Sequence, residues 1–189
     1  MKSTGVKLLW QRAQCNAKKR TGNLRRDDSG SAAIEFAMVS FPFLALLFGI
    51  MAVGLYFFTT FSTENAVEQA SRPIRTGEAQ TAGMTRDQFK ASVCSKLPVY
   101  VDCGSKLRVN VLSFDVGQAI TQPSCVDAGG ALVAPANTAY AVGTQNKIML
   151  VSACLEWTLA GKIPVLQVGK MANGAALIQA STTFKIEPY

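Results

Sequence analysis

A carboxylate at the edge of an uncharged run is the residue of this chain with the clearest chemical consequence. Glu35 is the last charged side chain before residues 36–63, a run of 28 residues without Asp, Glu, Lys or Arg. If that run enters a membrane, the carboxylate lies at its edge or inside it, where an unpaired charge is costly. We therefore expect Glu35 to need a positively charged partner.

A glycine five residues earlier suggests where that partner comes from. Hydrolysis of the peptide bond after Gly30 would make Ser31 a new N-terminus with a free amine. Residues four apart share one face of a helix, and a carboxylate near a helix N-terminus interacts favourably with the helix dipole. In an assembly of several copies, the Ser31 amine of one subunit would neutralise Glu35 of its neighbour.

The element that must position these residues is an apolar helix. The predicted transmembrane segment begins at Phe36 and ends at Phe61, and 20 of its 26 positions are apolar. A helix crosses the hydrocarbon core of a bilayer with about 20 such residues. A soluble single-domain enzyme is therefore disfavoured, because this run would leave a large apolar surface in water.

The basic residues are concentrated before that helix. Residues 1–30 hold eight Lys and Arg against two Asp, whereas residues 31–189 hold 11 basic and 10 acidic side chains. Positive charge next to an apolar span holds that end in the cytoplasm, so residues 1–30 are interpreted as a basic cytoplasmic leader. A nucleic-acid site would need its basic residues on a folded surface, and we expect no nucleic-acid partner.

The order of these segments differs from that of a secretory signal, in which a short basic stretch leads into an apolar run and then into a cleavage site of small residues. Here the small residues at 29–33 precede the apolar run. Two possibilities stay open: the helix is an uncleaved anchor, or the chain is cut on the cytoplasmic side, before the helix.

A polar leader, Gly, four residues, Glu and an apolar helix together resemble the type IV prepilin processing site. The sequence GSAAIEFA at residues 30–37, followed by Pro42 and a run rich in Leu, Phe and Gly, is similar to the TadE-like family. Members of that family are pseudopilins or minor pilins of the Tad (tight adherence, Flp-type) pilus. The resemblance covers residues 29–72, and the ending FKIEP at residues 184–188 also resembles the family. Ser31 is a departure, since many pilins carry Phe there.

The resemblance implies a non-enzymatic structural subunit. It implies cleavage after Gly30 by a prepilin peptidase, residence in the bacterial inner membrane, and partners among other pilins or pseudopilins and the pilus assembly machinery. The N-terminus would be cytoplasmic and the C-terminal head periplasmic, with incorporation into an extracellular pilus as a further expectation. The alternative is an uncleaved single-pass inner-membrane protein whose periplasmic head binds a partner or scaffolds a secretion or assembly complex.

The chain divides by its patterns into the leader of residues 1–30, a pilin-type helix over 31–72 that ends at Pro73, and a head over 73–189. In the head, Thr85-Arg86-Asp87-Gln88 predicts a capping box that opens one short helix. Apolar residues alternate, or are continuous, in three later stretches. We predict an α+β head with a three- to four-stranded antiparallel sheet, whose strands lie near residues 106–111, 147–159 and 176–187.

Cys94, Cys103, Cys125 and Cys154 follow the apolar run, and an even number in an exported region favours two disulfides. Three pairings are possible. We prefer Cys94–Cys103 with Cys125–Cys154, because each pair closes a loop that contains turn residues. The fifth, Cys15, lies in the leader and would stay reduced.

The sequence offers few candidate catalytic residues. The chain has no His, which removes the usual general base, and it has no phosphate-binding loop or nucleophile elbow. Asp115 and Asp127 are a possible carboxylate pair, but a solvated surface role is favoured because both lie in a loop-like stretch. Trp157 and Phe184 lie in strand patterns and are expected in the core. We expect no catalytic residue, no metal site and no cofactor.

Overall fold

The computed structural model describes residues 31–162 and 171–189. The basic leader, with Gly30 and Cys15, lies outside the described residues. The chain divides into two compact units between Phe48 and Gly49. The limits of the predicted domains, at residues 30 and 72, stay a prediction.

Helix α1, Ser31–Arg75, has 45 residues and is continuous through Pro42. The predicted stop at Arg72 and Pro73 is wrong, because the helix continues to Arg75. Its last turn is retained by tertiary contacts: Ile74 is fully buried, and the Arg75 guanidinium lies 5.0 Å from the centre of the Phe184 ring. These contacts offset the hydrogen bond that Pro73 cannot donate.

Three shorter α-helices follow within the described residues. Helix α2, Glu78–Thr81, has four residues, and its Ala79 is fully buried. Helix α3, Arg86–Cys94, begins with the predicted capping box: the Thr85 side chain accepts from the Gln88 amide while the Gln88 side chain accepts from the Thr85 amide. Helix α4, Cys103–Lys106, has four residues and leads directly into the sheet.

The sheet has three antiparallel strands in the order β1-β2-β3, so the fold class predicted from the sequence is confirmed. Strand β1 is Leu107–Phe114, β2 is Ile148–Trp157 and β3 is Ala176–Lys185. A fourth strand, which the sequence left open, is absent from residues 31–162 and 171–189. Between β1 and β2 the chain is mostly irregular, as predicted, with a short 3-10 turn at Pro135–Asn137.

One face of the sheet forms the core with the second half of α1. Cross-strand partners Val109 and Ala153, and Ala153 and Ala180, share this face. The helix contributes small buried side chains, which allow it to lie close to the strands. The buried helix residues of this layer are Thr59, Thr63, Ala66, Val67, Ala70, Ser71 and Ile74.

The other face of β2 is also covered. Nine of the ten β2 residues are buried, whereas β3 alternates between buried and accessible positions, as a strand with one solvated face does. The covering segment is the long β1–β2 connection: Arg108 Nε donates to the Val133 carbonyl at 2.9 Å, and Cys125 is linked to Cys154 of β2. The β1–β2 connection thus completes the head.

Candidate membrane and assembly helix

The first part of α1 carries large apolar side chains that contact little of the protein. Residues 31–51 are exposed except for Ser40 and Gly49, which are half-buried. Phe36 is 74% exposed and Phe41 is 78% exposed. By length and composition this helix is able to cross a membrane, and it is the one such helix in the described part of the chain. A helix that is apolar on all sides needs an apolar solvent or a packed environment.

Glu35 lies one turn into α1. The Ser31 hydroxyl donates to Glu35 Oε1 at 3.0 Å, an exposed contact between residues four apart. Both residues are therefore on one face, as expected from their spacing. Gly30, which precedes these two residues in the predicted processing site, lies outside the described residues. The site itself therefore stays a prediction.

Hydroxyl side chains within the apolar run are bonded to the backbone of their own helix. Ser40 Oγ donates to the Ala37 carbonyl at 3.2 Å, and Thr63 Oγ1 donates to the Thr59 carbonyl at 2.7 Å. The same pattern, with an acceptor three or four residues earlier, satisfies a hydroxyl that has no water to bond, as at Thr63, which is fully buried. Sequence reasoning did not single out these residues, although Ser and Thr in an apolar run are the visible signal.

Three aromatic side chains, one of them on α1 itself, lie near the end of the uncharged run. The Tyr56 and Trp157 rings have centroids 5.8 Å apart, and the Tyr100 hydroxyl is 3.0 Å from Thr59 Oγ1. Trp157, expected in the core from its strand pattern, is buried at the end of β2. Tyr100 comes from the loop between α3 and α4, a contact that the sequence did not indicate.

The structure forms two disulfides. Cys94 at the end of α3 is linked to Cys103 at the start of α4, and Cys125 of the long connection is linked to Cys154 of β2. Each pair has its Cα atoms 5.6 Å apart, within the usual range for a disulfide. This is the pairing preferred from the sequence.

A cleft of about 240 Å³ between α3 and the long connection is lined by three cations, Arg86, Lys90 and Arg108. Burial, with a smaller contribution from the charge of Arg108, lowers the pKa of Lys90. Each cation donates to the backbone: Arg86 to the Pro135 carbonyl at 2.7 Å, Lys90 to the Gly104 carbonyl at 2.6 Å and Arg108 to the Val133 carbonyl at 2.9 Å. The cluster therefore fastens loops to the sheet.

Asp115 and Asp127, the carboxylate pair considered from the sequence, each have a local structural role. Asp115 Oδ1 lies 2.5 Å from Lys147 Nζ at the ends of β1 and β2. Asp127 Oδ1 accepts from the Gly129 amide at 2.9 Å and from the Ala131 amide at 3.0 Å, which fixes a turn. Neither carboxylate is arranged for acid–base catalysis with the other.

A buried carboxylate was missed by the sequence reasoning. Glu156 of β2 is 7% exposed, and its Oε1 lies 2.7 Å from both Lys106 Nζ and Asn173 Nδ2. A buried charge of this kind is tolerated when it is paired and hydrogen-bonded. No signal in the sequence links residues so far apart, and the cluster contributes to the fold of the head.

Among residues 31–162 and 171–189, no group of three or more His, Cys, Asp or Glu side chains is placed to hold a metal ion.

Two titratable groups of the head have a shifted pKa. Asp102 caps α4, and hydrogen bonds from the Ser105 hydroxyl and amide lower the pKa of Asp102. Tyr140, whose hydroxyl donates to the Met84 carbonyl at 2.9 Å, has its pKa raised by burial. Both pKa shifts therefore follow from local hydrogen bonding and burial.

Comparison with known proteins finds a match for one segment of the chain. No curated protein and no solved structure matches the chain. A family model matches over residues 30–72, a segment that begins at the predicted processing glycine and includes Glu35 and almost all of α1. The matched family is described as TadE-like protein, so residues 30–72 carry the sequence signature of the TadE-like family.

Proposed function

We propose that this chain is a non-enzymatic minor pilin or pseudopilin that takes part in assembly of a Tad-type, type IVb-like pilus. The observation that carries the proposal is the coincidence of the TadE-like match with a helix whose large apolar side chains are exposed. Such a helix is stable in a bilayer, or packed laterally against other apolar helices in a fibre. Both environments are used by a subunit that waits in a membrane and then assembles.

In this proposal a prepilin peptidase cleaves after Gly30 on the cytoplasmic face of the inner membrane. The leader of residues 1–30 is removed, residues 31–72 belong to the pilin-type helix α1, and residues 73–189, which include the last turn of α1, belong to a periplasmic head. Partners are the peptidase, other pilins or pseudopilins and the assembly machinery. The size of the head favours a subunit that initiates, caps or regulates a fibre, since major Flp-type pilins are very short.

Glu35 carries the assembly step. Its carboxylate is exposed at the start of the uncharged run and is bonded only to the neutral Ser31 hydroxyl within the described residues. A new amine at Ser31 of an adjacent subunit would compensate the charge when the helices pack. The attraction is strong in a low dielectric, which makes docking of an unpaired Glu35 unfavourable and of a paired one favourable.

One contact favours a second candidate function, the uncleaved single-pass anchor whose head binds a partner. Because the Ser31 hydroxyl reaches Glu35 within the same helix at 3.0 Å, the carboxylate has a local hydrogen bond without a new amine. The mature N-terminus separates the two functions. Mass spectrometry of protein recovered from its native membrane should find Ser31 first under the pilin proposal and Met1 under the anchor proposal.

Glu35→Ala and Glu35→Gln test the role of the carboxylate. We expect both variants to insert and to be cleaved, yet to lose pilus formation and co-purification with other pilins, because Gln keeps the size without the charge. Glu64→Gln is the matched control, an exposed carboxylate of α1 just beyond the uncharged run. Full assembly by a cleaved Glu35→Ala protein would contradict the proposed role of Glu35.

A further inference from the structure

The loop between α3 and α4 presents an apolar side chain with no cover. Val99 is 104% exposed, and Tyr100 beside it is 41% exposed. The Cys94–Cys103 disulfide closes this loop, and the Val101 amide donates to the Pro98 carbonyl at 3.0 Å. A closed loop with an internal turn holds Val99 outward at little further entropic cost.

The loop follows α1 toward the apolar run. Lys96, Leu97 and Pro98 line a cleft with α1 side chains that extend from Gln69 back to Phe58. Two residues later, the Tyr100 hydroxyl is 3.0 Å from Thr59 Oγ1. The tip of the loop, residues 98–101, therefore lies beside the last turns of the uncharged run. Its contact at Thr59 comes before Glu64, which is the first charged residue after that run.

The side chains at this level are those that proteins place at a membrane surface. Tyr56 and Tyr100 have apolar rings with one polar atom, a type enriched where headgroups meet hydrocarbon. Lys96, exposed on the same loop, has a long apolar stem that lets its ammonium stay in water. Residues 96–100 therefore supply a charged, an amphipathic and an apolar side chain on one short loop, the three types that occur together at a bilayer interface.

We propose that the tip of the loop, residues 98–101, is a second membrane contact, in which Val99 and Tyr100 enter the interfacial region of the bilayer beside α1. This contact rests on the membrane span of the proposed function, and it would fix the orientation of the head relative to the membrane. A single helix leaves the head free to rotate and tilt about its axis. A second contact point held by a disulfide removes that freedom and presents one side of the head to other subunits.

The test places an environment-sensitive fluorescent amino acid at Val99 of the full chain by stop-codon suppression, which leaves the cysteines unchanged. Matched chains carry it at Val116, an exposed valine of the β1–β2 connection, and at Ile50 in the apolar run. Each chain is reconstituted into phosphatidylethanolamine–phosphatidylglycerol vesicles with or without phospholipids that carry a nitroxide near the headgroup end of one acyl chain. Non-reducing peptide mapping checks that both disulfides are intact.

We expect the nitroxide lipids to quench emission at positions 50 and 99 and to leave position 116 unchanged. Quenching at 50 without quenching at 99 would overturn the second contact and keep the membrane span. If position 50 is not quenched, the span fails and the second contact fails with it. A change at 99 that follows the protein-to-lipid ratio, and not the nitroxide, would mean that another copy of the chain covers Val99, which also overturns the proposal.

Discussion

Helix α1 contains two regions that are both apolar but are adapted to different surroundings. Between residues 31 and 51 many side chains are large and nearly all are exposed, as at Phe36 and Phe41. Between residues 62 and 75 the buried positions are small or β-branched, such as Ala66, Val67 and Ala70. The comparison teaches that the size of an apolar side chain and its spacing, more than its hydropathy, indicate whether a helix faces lipid or protein.

Charge placement separates the two regions in the same way. In the second region, Glu64, Glu68 and Arg72 lie on the exposed side of α1 and leave one apolar stripe for the sheet. Glu68 Oε2 also accepts from Thr182 Oγ1 at 2.7 Å, which links the exposed side of α1 to β3. The first region has no charged stripe after Glu35, so it has no side that prefers water.

The largest effect should come from placing the same charge in both regions. Val67→Asp puts a carboxylate into the core of the head at a position that is 1% exposed. We expect a loss of more than about 4 kcal/mol in the free energy of unfolding, because the charge is buried without a partner. Thermal unfolding of the full chain in mild detergent, followed by circular dichroism, measures it.

Val39→Asp is the matched control, because Val39 is 70% exposed in the first region. It should leave the unfolding of the head unchanged and should weaken membrane insertion, measured by alkaline extraction of membranes. If both variants unfold the head equally, the distinction between the two regions is wrong.

The two disulfides should differ in their effect on the head. Cys125 and Cys154 are separated by 29 residues and are buried, whereas Cys94 and Cys103 are separated by 9 residues and are half-buried. Replacing the first pair with Ala should cost about 3–4 kcal/mol and replacing the second about 2–3 kcal/mol, since longer loops lose more entropy when closed. Titration with dithiothreitol should open Cys94–Cys103 first, and the reverse order would contradict the burial argument.

Removing a cation sharpens the contrast between buried and exposed charges within the head. Lys106→Met leaves Glu156 buried with Asn173 as its remaining partner, and should cost about 1–3 kcal/mol. Lys147→Met is the control, because its partner Asp115 is 74% exposed; its cost should stay below about 1 kcal/mol. Chemical denaturation of both variants measures the difference, and equal costs would show that Glu156 does not depend on Lys106.

The smallest effect concerns the cap of α3. Thr85→Ala removes the hydroxyl that accepts from the Gln88 amide, and should cost about 1 kcal/mol. Thr85→Ser keeps the hydroxyl and should be nearly neutral. Native-state hydrogen exchange of the Gln88 amide gives a local readout, and unchanged protection in Thr85→Ala would mean that the cap does not stabilise α3.

The local features of the fold could be predicted from the sequence. The cap at Thr85, the three strands and the apolar helix each depend on residues a few positions apart, which a reader of the sequence sees directly. The end of α1 was predicted too early, because Pro73 is a local stop signal and the burial of Ile74 is a long-range effect.

The remaining features join residues that are distant in the chain. Glu156 with Lys106 and Tyr100 with Thr59 depend on how the chain folds back, and neither pair has a local signal. Of the candidate processing site, Ser31 and Glu35 share a face as their spacing predicts, while cleavage after Gly30 stays a prediction. Enzymatic cleavage depends on recognition by another protein, which a single chain does not contain.

The central position of β2 has a consequence for the timing of folding. Strand β2 pairs with β1 on one edge and with β3 on the other, although β3 is the last of the three strands to be synthesised. Until Ala176–Lys185 has emerged, one edge of β2 lacks its backbone partners and the sites of Ile178 and Phe184 in the core are empty. A head built in this order stays loose during synthesis, and its sheet and core are complete only when β3 has emerged.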